Sequence, residues 1–130
     1  MNSMTIIGNL VADPELKFGN SGKTYARFRL AESRGEGKDS TFYNVTVFDD
    51  IAENSVDSLH KGDRVIVQGY FDGARQYTGG DEVVRVSLDF VAQEIAPSLR
   101  FAKVTIARTA RDTTPSGVTS TNYETLEEPF

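Results

Sequence analysis

Apolar and polar residues alternate with a period of two over much of the first hundred positions, which predicts strands with one face turned to a core. Thr24 to Ala31 is the clearest case. Ala26, Phe28 and Leu30 fall on one side, and Tyr25, Arg27 and Arg29 on the other. Thr41 to Phe48 repeats the pattern, with Tyr43, Val45 and Val47 on the apolar side and Phe42, Asn44, Thr46 and Phe48 on its reverse. Met4 to Val11 reads as an earlier strand bent at Gly8 and ended by Asp13-Pro14; Leu16 and Phe18 continue it briefly before a turn at Gly19-Asn20-Ser21-Gly22. Arg64 to Phe71 is mostly apolar. A long hairpin turning at Gly79-Gly80 joins it to Glu82 through Val91, where Val84, Val86, Leu88 and Phe90 make an inward row. Beyond Pro97, Leu99 to Arg108 offers one more strand, anchored by Val104 and Ile106.

One segment breaks the alternation. Asp49 and Asp50 stand where a helix N-terminus favours acids, Ile51, Val56 and Leu59 form a short apolar stripe, and Gly62 is a natural C-terminal stop. Three strands, a short helix and two long strands is the order of an all-β, five-stranded Greek-key barrel of the OB type, with long hairpins and an extra C-terminal strand. From Thr109 the chain becomes Ser/Thr-rich with few large apolar residues. The expected organisation is therefore a barrel over 1–108 and a flexible tail over 109–130.

Composition narrows the chemistry. At 130 residues and 14.3 kDa the chain has room for one domain plus a tail. It has no cysteine and a single histidine, His60, so disulfides, thiolate metal sites and a histidine-built zinc centre are not expected. The longest apolar run near the start, Met4 to Ile7, is too short for a signal or membrane segment, and a cytoplasmic, nucleoid-associated protein is expected. A net charge of −5 speaks against simple electrostatic attraction to nucleic acid. Part of it is local: one arginine against four carboxylates gives residues 111–130 a charge of −3, leaving −2 on the rest. A body so near neutrality can still carry a basic groove if its charges segregate by face.

Phe42 and Phe48 are six residues apart on one strand, so both leave its polar side, where burial within the monomer does not account for them. Stacking of unpaired bases does, and so does cover by a neighbouring subunit or by the hairpin. Tyr25, Arg27 and Arg29 occupy the outward row of the adjoining strand, with Lys17 counted beside them, and could bind phosphates or form a merely solvated face. Arg34 with Lys38, and Arg75 with Tyr77, sit in hairpins able to close over a strand of nucleic acid. Catalytic constellations are missing. Gly79-Gly80 lacks the lysine and helix of a phosphate loop, His60 has no Ser/Asp partners in pattern, and Asp49, Asp50 and Glu53 read as helix-dipole complements. No enzyme activity, cofactor or metal is expected. At the C-terminus, Glu127, Glu128, Pro129 and Phe130 put an aromatic ring beside carboxylates on a polar tether, suited to another protein's basic-rimmed apolar pocket.

Ile7-Gly8-Asn9-Leu10, Asp13-Pro14-Glu15-Leu16 and Ser21-Gly22, then Tyr43-Asn44-Val45-Thr46-Val47-Phe48, Ile51-Ala52-Glu53 and Lys61-Gly62-Asp63-Arg64-Val65, resemble bacterial single-stranded DNA-binding proteins. The likeness runs from about Met1 to Val91 and returns at the tail. Ile95 to Ala102 resembles the actinobacterial branch, whose extra C-terminal strand clamps subunits together. The resemblance implies an OB-fold homotetramer that wraps single-stranded DNA without sequence preference, stacks bases at Phe42 and Phe48, and docks replication, recombination and repair proteins on Glu127 to Phe130. Departures accompany it: no tryptophan, Asp49 and Asp50 directly after Phe48, Asn44 where a basic residue is common, and a short linker. These imply weaker, more salt-sensitive binding than in a tryptophan-bearing relative, and a secondary paralogue. An adaptor whose barrel holds DNA poorly is the alternative.

Overall fold

The computed structural model describes residues 2–109, so Glu127, Glu128, Pro129, Phe130 and all of the expected tail but Thr109 lie outside the described residues. Six strands and one helix follow in order: β1 (Met4–Leu10), β2 (Glu15–Phe18), β3 (Thr24–Glu32), β4 (Thr41–Phe48), α1 (Asp49–Ser58), β5 (Arg64–Thr78) and β6 (Val84–Pro97). They form one sheet in the order β1-β5-β6-β4-β3-β2, and a further β1–β3 pairing partly closes it. Five strands thus make the ring, and β2 is added outside it on β3. β4 and β6 run parallel and the other pairs antiparallel. With α1 between the third and fourth strands of the ring, this is the OB barrel.

Closure is short, only Asn9 opposite Ala31 and Leu10 opposite Leu30. Gly8 makes that approach feasible, because a Cβ there would lie 2.5 Å from the Ala31 carbonyl oxygen. The alternating apolar rows meet inside. Ile6, Leu30, Val45, Val47, Val65, Val67 and Phe90 are fully buried, with Phe28 and Tyr43 nearly so. Phe90 meets Phe71 edge-to-face at 5.4 Å, and truncating a buried phenylalanine of this kind costs roughly 3–5 kcal/mol. Tyr43 remains satisfied by donating its hydroxyl to Glu32 at 3.0 Å. Burial and that carboxylate both push the phenol's pKa up.

Three expectations need correction. Gly62 does not stop α1: the helix ends at Ser58, Leu59 is already extended, and its N–H bonds the Ser55 carbonyl at 2.9 Å. Gly62 instead takes the left-handed position of the His60–Asp63 turn (φ 92°) and donates to the Leu10 carbonyl at 2.8 Å, tying that turn to β1. The supposed inward row of β6 holds only for Leu88 and Phe90. Val84 and Val86 are 60% and 57% exposed, because the β5–β6 hairpin runs past the end of the barrel and has no layer to pack on. Finally, Leu99 to Arg108 forms no strand in this chain. The β5–β6 ladder ends at Val65 opposite Pro97, its last bond beyond Pro97 runs from the Ser98 N–H to the Arg64 carbonyl, and the segment then leaves across Asn9, Gly62 and Arg64 without pairing to a described strand. Its anchors Val104 and Ile106 stay exposed.

Candidate nucleic-acid interface

Cross-strand register decides which side chains share a face. Tyr25 lies opposite Phe48, Arg27 opposite Thr46, Arg29 opposite Asn44 and Ala31 opposite Phe42. On the far side of β3, Lys17 pairs with Tyr25 and Glu15 with Arg27. Beyond β4, Asn44 stands beside Asp89 of β6, and the hairpin ladder sets Arg75 against Ser87 and Tyr77 against Arg85. Lys17, Tyr25, Arg27, Arg29, Phe42, Phe48, Arg75 and Tyr77 therefore project from one continuous face that crosses β2, β3, β4 and the hairpin. On β3 and β4 the alternate positions, Ala26, Phe28, Leu30, Tyr43, Val45 and Val47, fill the core, which leaves this row on the outer side.

Phe42 and Phe48 are 40% and 46% exposed. Their surroundings differ. The Arg29 guanidinium sits 4.3 Å above the Phe42 ring, a cation–π pair that covers one aromatic face. Phe48 has Tyr25 as neighbour at 6.4 Å between centroids and 42° between planes, a tilted contact that leaves much of both rings open. A cleft of about 310 Å³ lies between Phe42 with Arg29 on one side and Arg75 with Tyr77 on the other, floored by Asn44 and Ser87.

The cations are not equally available. Arg75 donates from Nε to Asp89 Oδ2 at 3.2 Å. Arg85 is gripped by Asp81 through two bonds, the longer at 3.0 Å and the shorter at 2.6 Å. That pair holds the Asp81 carboxyl below the usual range and raises the Arg85 guanidinium. Arg27, Arg29 and Lys17 form no ion pair among the described residues. Arg34 is exposed in the loop between β3 and β4, outside the cleft.

Ser87 and Asp89 were not among the expected site residues, although the same alternation that singled out Val86 and Leu88 puts them on the opposite side. Asn44 Nδ2 donates to Ser87 Oγ at 2.6 Å, and Ser87 Oγ donates to Asp89 Oδ1 at 3.0 Å. Burial pushes the Asp89 carboxyl up. Bonds from Arg75, Ser87 and Asn44, with the Arg75 charge, outweigh that and hold it below its ordinary value. No cluster of three metal-binding side chains occurs among the described residues, and none of their helices is long and apolar enough to cross a membrane.

The pattern that defines the single-strand binding protein family matches residues 1–98. A single-stranded DNA-binding protein of Corynebacterium glutamicum is 39% identical over 118 residues, which is 84% of this chain and 52% of that protein. One from Paenarthrobacter aurescens is 38% identical over 119 residues, covering 85% of this chain and 69% of the relative. One from Mycobacterium tuberculosis is 36% identical over 118 residues, covering 84% and 71%. The chain thus spans about half the length of the Corynebacterium relative. A barrel of this topology, with residues 1–98 matching throughout its strands, makes the chain a member of the single-strand binding protein family.

Proposed function

We propose that this protein binds single-stranded DNA with little sequence preference, by stacking bases on aromatic rings and neutralising phosphates, and performs no turnover. The observation that carries the reading is the pair of half-exposed rings, Phe42 and Phe48, on a face whose cations Lys17, Arg27 and Arg29 form no ion pair among the described residues. Every base has a π-face, so such a platform is tolerant of sequence, while the cations track the backbone. The relatives' names, all single-stranded DNA-binding proteins, support it.

The finer parts of the proposal are a homotetramer, a cytoplasmic location on the nucleoid, a barrel of 1–108 with a flexible tail of 109–130, and recruitment of replication, recombination and repair proteins through Glu127, Glu128, Pro129 and Phe130. A carboxylate-flanked terminal aromatic on a polar tether is the feature that supports recruitment. Arg34, from its loop, and Arg75 with Tyr77, from the hairpin, would close over the bound strand. Anisotropy of a labelled oligo(dT) at two salt concentrations tests the binding. Saturable binding that weakens steeply with salt is expected. No binding even at low salt would sink the proposal and leave the adaptor reading. Deleting the last four residues should abolish partner capture while leaving oligo(dT) affinity in place, and a loss of both would refute the division of labour.

A further inference from the structure

Both arginines in the protruding part of the hairpin, residues 72–89, are held by carboxylates of that same stretch. Arg75 gives its Nε to Asp89 Oδ2 at 3.2 Å. Arg85 forks onto both oxygens of Asp81 at 3.0 and 2.6 Å, a bidentate grip stronger than a single charged bond. The two acids are themselves anchored. Asp89 also receives the Ser87 hydroxyl at 3.0 Å and the Asn44 amide nitrogen at 3.4 Å. Asp81 also accepts the Val83 N–H at 3.1 Å, and a Cβ at Gly79 would collide with the Arg85 guanidinium, so the turn has room for this pair only because glycine stands there.

Arg75 stands opposite Ser87 and Arg85 opposite Tyr77, so both arginines lie on the hairpin side that continues the stacking face. Yet residues 72–89 set two arginines against Asp72, Asp81, Glu82 and Asp89, a charge of −2. Strands β2, β3 and β4 set Lys17, Arg27 and Arg29 against Glu15 and Glu32, a charge of +1, and those three cations form no ion pair among the described residues. To a guanidinium, carboxylate and phosphate are alike in offering paired anionic oxygens. We propose that Asp89 and Asp81 mask the hairpin arginines, each holding the place a DNA phosphate would take, so that the hairpin engages a bound strand only by exchanging carboxylate for phosphate. The masking rests on the single-stranded DNA reading above and adds a regulation of that site. The strand is drawn to the unpaired cations of β2 and β3, and the hairpin adds little attraction of its own. When Arg75 passes to a phosphate, Asp89 is left charged beside the polyanion and offsets what the contact gains.

Double-mutant cycles separate masking from plain repulsion by an acid. The full chain is titrated with labelled oligo(dT) at low salt as the parent, Asp89→Asn, Arg75→Ala and the double variant. Asparagine keeps an oxygen for Ser87 and Asn44 but has no charge with which to hold Arg75. Relief of repulsion alone is worth about twofold, and release of an exposed ion pair about two- to fivefold more. Asp89→Asn should therefore tighten oligo(dT) about four- to tenfold with Arg75 present and only about twofold in the Arg75→Ala background. The cycle of Asp81→Asn with Arg85→Ala should show the same inequality. Asp81 lies in an exposed turn, so this second cycle decides alone should circular dichroism show that Asp89→Asn does not fold. Equal gains in the two backgrounds of even one folded cycle, or weaker binding once an acid is removed, overturns the masking and leaves the DNA reading standing. A parent that does not bind oligo(dT) even at low salt takes the DNA reading down, and the masking with it.

Discussion

Replacing Phe48 and Phe42 by alanine separately asks whether the two rings do the work assigned to them, and the structure predicts unequal losses. An exposed ring contributes about 1–3 kcal/mol per stacked base. Phe48 is 46% exposed and its one aromatic neighbour among the described residues, Tyr25, is tilted to it at 6.4 Å, so a base can use the ring directly. The full range applies, and Phe48→Ala should weaken oligo(dT) binding roughly five- to 150-fold per site. Phe42 starts with Arg29 over its face. A base that displaces the guanidinium forfeits a cation–π contact of about 0.5–1 kcal/mol, and the net value of the ring falls to roughly 0.5–2 kcal/mol. Phe42→Ala should therefore cost less than Phe48→Ala, by about 0.5–1 kcal/mol.

Anisotropy titrations with labelled oligo(dT) read both losses, and thermal melts separate them from unfolding. Both rings lie outside the core, so neither variant should shift stability as a buried phenylalanine would. Parent-like affinity in both folded variants would refute stacking. A larger loss at Phe42 would refute the account of Arg29 as a competitor, and make the guanidinium–ring pair a joint platform instead.

Further expectations concern charge, backbone and acid. Arg27→Ala removes an unpaired cation and should lower the slope of log affinity against log salt by about 0.7, measured by titration at several salt concentrations. Gly69→Ala should destabilise the barrel strongly, by more than about 3 kcal/mol in a denaturant melt, because its Cβ would collide with the Val91 carbonyl oxygen at the β5–β6 irregularity. The folded pKa of Asp89 lies below its unfolded value, so the stability it contributes is complete above the unfolded value of about 3.9 and is lost as pH falls through the folded one. Melts of Asp89→Asn should accordingly show a weaker acid dependence than the parent's in that range.

The barrel was legible because its information is local. Alternation in Thr24 to Glu32 and Thr41 to Phe48 dictates both the buried rows and the outward ones, and a half-exposed Phe42 and Phe48 follow from even spacing alone. Elements whose fate depends on what lies beside them were not legible. Val84 and Val86 have the same pattern as Leu88 and Phe90 yet protrude, since only length relative to the barrel decides where cover ends. Val104 and Ile106 alternate well but pair with no strand among the described residues and stay exposed. The Asn44–Ser87–Asp89 chain was equally hidden, because a parallel β4–β6 contact joins residues more than forty positions apart.

If the proposed function holds, how an acidic chain binds a polyanion is a question of where its carboxylates are. Asp49, Asp50, Glu53 and Asp57 give α1 a charge of −4 with no basic residue, and residues 111–130 carry −3, so the remaining body is at +2. The excess acid is thus concentrated in two segments, and the interface strands keep the cations. The arrangement has one cost: α1 begins directly after Phe48, so Asp49 and Asp50 sit at the end of the stacking face. For a phosphate about 8 Å away in water, each such carboxylate opposes binding by roughly 0.5 kcal/mol. Asp50→Asn should therefore tighten oligo(dT) about twofold at low salt, and the gain should fade above about 0.1 M, where the screening length drops to roughly 10 Å. The same change removes a favourable charge from the first turn of α1, costing about 0.3–1 kcal/mol of stability that a thermal melt registers independently. Affinity that does not rise at low salt would mean that the bound strand avoids the Phe48 end, and that bases are taken up chiefly toward Phe42 and the hairpin.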